Sequence, residues 1–236
     1  MLQNIKLLYG KKIGATDGDI GHVKDFYFDD VTWMVRYLVV DTGTWLAGRQ
    51  VLLPPHAFGP RPFGKTDTDL KLMQTNLTRR QIEDSPSIET HKPVSRQHEE
   101  AYYNYYGWPA YWMEAGMVGG VSLPPGAPIG EQVRPSPERD HQRDDPHLRS
   151  TKAVDGYAIR AGEETIGFVN GYMVEGLNWR IRELVVETGH WYAGKEIYLL
   201  PKNITRISYA DSTVSVNLSK EDIEHTVRHD VAQASV

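Results

Sequence analysis

The chain has 236 residues, of which 40% are hydrophobic and 24% charged, values that suit a globular protein with a buried core and exclude collagen-like, wholly disordered and membrane-embedded classes. Its formal charge is −5 and it contains no cysteine, so a polyanion meets net repulsion, and disulfides, thiolate metal sites, iron–sulfur clusters and cysteine nucleophiles are all ruled out. A cysteine-free chain also suits a reducing compartment, and a cytoplasmic location is expected.

The first ten residues lack a basic segment, an apolar stretch of signal-peptide length and a small-residue cleavage site, and are expected to be mature sequence. No window approaches the roughly 20 apolar residues needed to span a bilayer, so no transmembrane segment is expected and peripheral membrane association stays open. Ile13 to Thr16 reads as a short strand, and Asp17-Gly18 makes a tight turn into a second strand, Ile20 to Phe28. Asp29-Asp30 forms the next turn, and Val35 to Val40, rich in β-branched residues, forms a third strand. Thr42-Gly43 and Ala47-Gly48 bracket a loop holding Trp45. A strand from Arg49 to Leu53 then ends at Pro54-Pro55, where the missing amide hydrogens stop ladder pairing. Thr78 with Gln81 fits a capping box that opens a last helical turn.

This pattern occurs twice. Ile13 to Phe58 aligns without a gap onto Ile159 to Ile204 at an offset of 146, with 17 identities in 46 positions, among them Trp33/Trp179, Arg36/Arg182, Trp45/Trp191 and Leu38-Val39-Val40/Leu184-Val185-Val186. So long an ungapped match marks an internal duplication. After a five-residue shift, Asn76-Leu77-Thr78 matches Asn217-Leu218-Ser219. In the second copy Ile204 to Tyr209 and Thr213 to Leu218 form a hairpin around Asp211-Ser212, and Ser219 with Asp222 repeats the cap in weaker form. Residues 86–150 between the copies are rich in Pro, Gly and charge, and the end of this linker, Pro135 to Pro146, is expected to be extended or disordered. The expected organisation is a first repeat over 1–85, a linker over 86–150, a second repeat over 151–228 and a tail over 229–236. Their net charges leave no part strongly basic, and no direct nucleic-acid contact is expected.

Five or six short strands per copy, with edges to protect, favour a small strongly bent sheet or barrel. The Leu-Val-Val triplet is apolar on both faces of its strand, so the face outside each barrel must also be covered, and the copies are expected to pack about a pseudo-two-fold. The motifs Gly10-Lys11-Lys12-Ile13, Gly18-Asp19-Ile20-Gly21-His22-Val23, Arg36 to Asp41, Val51-Leu52-Leu53-Pro54 and Leu77 to Ile82 resemble the PRC-barrel domain. That family includes the cytoplasmic domain of the photosynthetic reaction-centre H subunit and the C-terminal domain of a ribosome maturation factor. Both copies carry the resemblance, which implies an all-β fold with minor α: two small PRC-type β-barrels joined by a long Pro/Gly/aromatic linker. It implies a protein-binding scaffold and no reaction.

Interaction residues are sought in two places. Tyr102, Tyr103, Tyr105, Tyr106, Trp108, Tyr111 and Trp112 crowd one stretch of the linker, and such rings serve either as interface anchors or as packing between the barrels. Trp45 and Trp191 occupy equivalent glycine-flanked loops, as partner anchors or as lids on the barrels. His225 and His229 share a helical face, but with no third ligand, and with His141 and His147 in a polar stretch, no metal site is expected. Asp41 and Glu187, at equivalent strand ends, are read as structural and offset by Arg36 and Arg182. No nucleophile elbow, Walker loop or dinucleotide fingerprint is present, so no catalytic residue and no cofactor are expected. The chain is read as a non-enzymatic scaffold or adaptor whose partner is another protein or a second copy of itself. The alternatives are a peripheral regulator of a photosynthetic or electron-transfer membrane complex and a ribosome-maturation or RNA-processing accessory.

Overall fold

The structure is a computed structural model that describes residues 2–59, 72–85, 104–107, 147–189 and 194–222. It is mostly β, arranged in two sheets with a few short helices. In the first half, β1 (Leu2–Asn4) leads through a 3-10 turn to β2 (Lys12–Ala15), β3 (Gly18–Asp29), β4 (Val35–Asp41), β5 (Gln50–Leu53), β6 (Leu72–Gln74) and α1 (Arg79–Glu83). In the second, β7 (Leu148–Ser150) and α2 (Thr151–Val154) precede β8 (Ala158–Ala161), β9 (Glu164–Glu175), β10 (Ile181–Thr188), β11 (Glu196–Leu199), β12 (Ile204–Ser208) and β13 (Thr213–Val216). Among the described residues no helix is long and apolar enough to cross a membrane.

The strand assignments follow the sequence pattern closely. The hairpin turn before Gly18, the break at Pro54 and the hairpin β12–β13 lie where turn chemistry puts them. Thr78 and Gln81 make the full reciprocal capping box, and Ser219 and Asp222 cap each other's backbone amides in the same way. Gly21 and Gly167 show why the repeat keeps glycine there: a Cβ at Gly21 would lie 2.0 Å from the Asp41 carbonyl oxygen, and one at Gly167 2.4 Å from that of Glu187.

The sheets run β5-β4-β3-β2-β6 and β11-β10-β9-β8-β13-β12. β11 and β12 lie at opposite ends of their path yet are joined by only four residues, Leu200 to Asn203, so that sheet must curl back on itself. In the first sheet the Phe58↔Thr75 bridge brings the two ends together in the same way. The expected closed barrel is therefore corrected to a curled, open sheet, since no ladder among the described residues joins β5 to β6 or β11 to β12. Pro55 and Pro201 open short 3-10 turns after β5 and β11, where the ladder of each strand ends.

Each half lends a strand to the other. β1 pairs with β9 (Leu2↔Glu175, Asn4↔Met173) and β7 pairs with β3 (Leu148↔Asp29, Ser150↔Tyr27). Adding 146 to one partner and subtracting it from the other turns either register into the other, which is the mark of a two-fold relation. Its axis passes beside Met34↔Arg180, where Val35 N–H donates to Trp179 O at 2.9 Å and Ile181 N–H to Trp33 O at 2.8 Å. Trp33 and Trp179 are buried there, both at φ 58°. One apolar core runs through both halves, and Trp179 packs its ring against Phe26 and Phe58 across the junction.

Candidate interaction surfaces

The junction holds a polar network that the two copies build differently. Asp25 accepts from Ser150 Oγ at 2.5 Å, Thr151 Oγ1 at 2.9 Å and Lys152 N–H at 3.2 Å, which fixes the start of α2. The equivalent position in β9 is Gly171, against which Asn4 lies, and there Asn4 Oδ1 accepts from Lys6 N–H at 2.9 Å. Tyr9 meets Thr151 Oγ1 at 2.8 Å, and Tyr172 donates to the Thr151 carbonyl at 3.3 Å. Burial pushes both of these hydroxyls well above the ordinary tyrosine range. The network satisfies itself and reads as structure.

Beside it lies a groove of about 460 Å³ between the Asp30–Val31 turn and β12. Asp30 takes Arg149 Nε at 2.6 Å and His147 Nδ1 at 2.9 Å, and the Arg149 guanidinium covers the Tyr209 ring. Arg36 and Arg182 pair with Asp29 at 3.7 Å and with Glu175 at 2.5 Å, and not with Asp41 and Glu187 as the sequence suggested. The Arg182 hydrogen bond holds the Glu175 carboxyl below its usual range. Asp41 instead accepts from Gly43 N–H at 2.9 Å and shapes the start of its loop. Among the described residues no three His, Cys, Asp or Glu side chains are placed to hold a metal.

Of the expected interaction residues, three are described. Trp45 is half-buried against the core with the Arg79 guanidinium 4.6 Å over its ring, and Arg79 N–H donates to Asp17 Oδ1 at 2.7 Å. Tyr105 and Tyr106 meet edge to face at 4.8 Å, and both hydroxyls reach the Gln81 carbonyl of α1. Tyr106 packs against the core while Tyr105 stays exposed. Trp191, Tyr102, Tyr103, Trp108, Tyr111 and Trp112 lie outside the described residues, as do Pro135 to Pro146, His141, His225 and His229.

The clearest contrast between the halves is on the outer faces of the sheets. Side-chain alternation and the ladder registers place Phe168 and Asn170 of β9, Glu183, Val185 and Glu187 of β10, and Glu196 and Tyr198 of β11 on one outward grid, with Leu200 just beyond. The equivalent first-half grid carries Tyr37, Val39 and Leu52 in place of Glu183, Val185 and Tyr198. Tyr37 and Leu52 are 0% and 1% exposed where the second half has the half-buried Glu183 and the 52% exposed Tyr198, Val39 and Val185 are buried alike, and Phe168, 50% exposed, stands where the first half has an exposed His22. The two outer faces thus differ at the Tyr37/Glu183 and Leu52/Tyr198 positions, while the row of Phe168, Glu187 and Glu196 corresponds to an exposed His22 and half-buried Asp41 and Gln50.

Sequence reasoning overlooked β1, β7 and this difference between the faces. Leu2/Leu148 and Gly10/Gly156 extend the identities toward the N-terminus at the same offset, a signal that the repeat begins before Ile13. The divergence Tyr37/Glu183 was equally visible as a switch from apolar to charged at one repeat position. Residues 4–69 match the PRC-barrel domain family, no curated protein matches the chain, and the first half is thus similar to a PRC-barrel over β2 to β5 and their flanks.

Proposed function

We propose that the chain is a non-enzymatic protein-binding scaffold made of two PRC-type units, the second formed by the repeat that follows residue 150. The family match over residues 4–69 supports a protein-interaction role in general. The second unit is supported by the ladders, which recur at the offset of 146 from Lys12↔His22/Ala158↔Phe168 onward. The observation that carries the reading is the pair of exposed rings Phe168 and Tyr198, which stand where the first half has an exposed His22 and a buried Leu52. A sheet face that carries two large exposed rings where its repeat has histidine and leucine suits a contact that another chain completes.

The test is site-specific photocrosslinking in the native cell. A photoreactive phenylalanine analogue at position 198 should give a discrete adduct, either with one other protein or with a second copy, while the same group at Thr205 on β12 should not. A faint smear equal at both positions would count against a scaffold that uses this face. The reading also takes the working compartment to be the cytoplasm, in keeping with the absence of cysteine.

A further inference from the structure

We propose that the outer face of the second sheet receives an extended segment of another protein that carries lysine or arginine next to a large apolar side chain. This rests on the scaffold reading and adds the chemistry of the partner. Phe168, Glu187 and Glu196 form one cross-strand row, and the exposed Tyr198 stands beside it, paired with Val185, which is itself buried. Glu183 stands on the same side of β10, so the two rings are set among three carboxylates. Glu183 and Glu187 form no ion pair among the described residues, and Glu196 accepts a hydrogen bond from Asn170 Nδ2 at 2.9 Å. Lys6, which lines the cavity beside this face, is already engaged by Asp155 at 3.2 Å and Asn170 at 2.7 Å.

The face is also concave at one side. A cavity of about 560 Å³ opens beside Phe168, lined by Glu187, Asn170, Gly194, Lys6 and Asp155. An apolar side chain against Phe168 and a cationic one beside Glu187 would match this lining in shape and sign. Complementary charge of this kind selects the partner and speeds encounter, while the rings supply the contact area. A second copy of the chain suits the face less well, because a symmetric contact would set the three glutamates against their own copies.

The test uses the full-length protein and two synthetic peptides, acetylated and amidated. One alternates lysine with leucine and phenylalanine, and the other carries glutamate in place of lysine. By fluorescence titration the lysine peptide is expected to bind and the glutamate peptide not to. Glu187→Lys with Glu196→Lys should weaken binding about tenfold, the effect of losing two exposed ion pairs. Phe168→Ser with Tyr198→Ser should abolish it, and Glu163→Lys, in the β8–β9 turn off the grid, should leave it unchanged. Circular dichroism checks that each variant is folded. No binding, equal binding of the two peptides, or equal loss with Glu163→Lys would overturn the inference. A discrete heterologous photocrosslink at position 198 alongside such a result would leave the scaffold reading standing and the charge preference refuted.

Discussion

Replacing Trp179 by alanine removes a buried indole that belongs to the second half but packs against Phe26 and Phe58 of the first, with ring centroids 6.3 Å and 5.9 Å away. Truncating a buried tryptophan costs about 3–5 kcal/mol, a large part of the stability of a small protein. The position also has φ 58°, where any L side chain is strained by about 1–2 kcal/mol. Alanine keeps that strain and glycine does not, although glycine loses about 0.4–1 kcal/mol through its freer unfolded chain. Trp179→Gly should therefore be no worse than Trp179→Ala, and better by roughly 0.5 kcal/mol, although it removes one more carbon. Urea unfolding followed by far-ultraviolet circular dichroism gives both values, and hydrogen exchange locates the loosening. The shared core predicts faster exchange in β3 as well as in β9 and β10. A loss below about 1 kcal/mol, outside the range for a buried ring, or exchange that rises in the second half alone, would refute the reasoning.

Asp25→Ala leaves the Ser150 and Thr151 hydroxyls and the Lys152 amide without their acceptor and should cost about 1–3 kcal/mol in thermal or urea unfolding, with Asp25→Asn recovering part of it. Gly167→Ala would place a methyl 2.4 Å from the Glu187 carbonyl oxygen and should lower the melting temperature, whereas Gly162→Ala, with open space around it, should show only the smaller cost of its positive φ. Tyr172 is buried and its hydroxyl is raised well above the usual value by burial. The folded state thus holds that proton where the unfolded chain releases it, and the contribution is complete below pH about 10 and lost as pH rises further, by about 1.4 kcal/mol per unit. Tyr172→Phe should make stability fall less steeply as pH rises above 10, with Tyr9 and the other buried tyrosines keeping part of the slope, and leave the slope near neutrality unchanged.

The strands, their turns and both capping pairs were legible because local chemistry decides them. Asp17-Gly18 can only turn, Pro54-Pro55 can only end a ladder, and Thr78 with Gln81 closes its own backbone. β1 and β7 were not legible, since three residues carry no periodicity and their partners lie far away in sequence. Trp33 and Trp179 were aligned as identities, yet each follows an acidic turn and reads as a loop residue; what buries them is the other half meeting them at the two-fold. The loops of Trp45 and Trp191 drew attention by composition, whereas Phe168 and Tyr198 are single rings in ordinary strands. Their exposure becomes visible only when the outer faces of the two sheets are compared position by position.

The central claim is that the halves form one body, clasped by exchanged strands and a common core. Inserting a protease site in the linker after Gly120 and cleaving the folded protein tests it directly, with size-exclusion chromatography as the readout. The cleaved chain should elute with the intact protein at micromolar concentration and separate into two fragments only in denaturant. Fragments that part under native conditions, each keeping its β-sheet circular dichroism, would contradict the account.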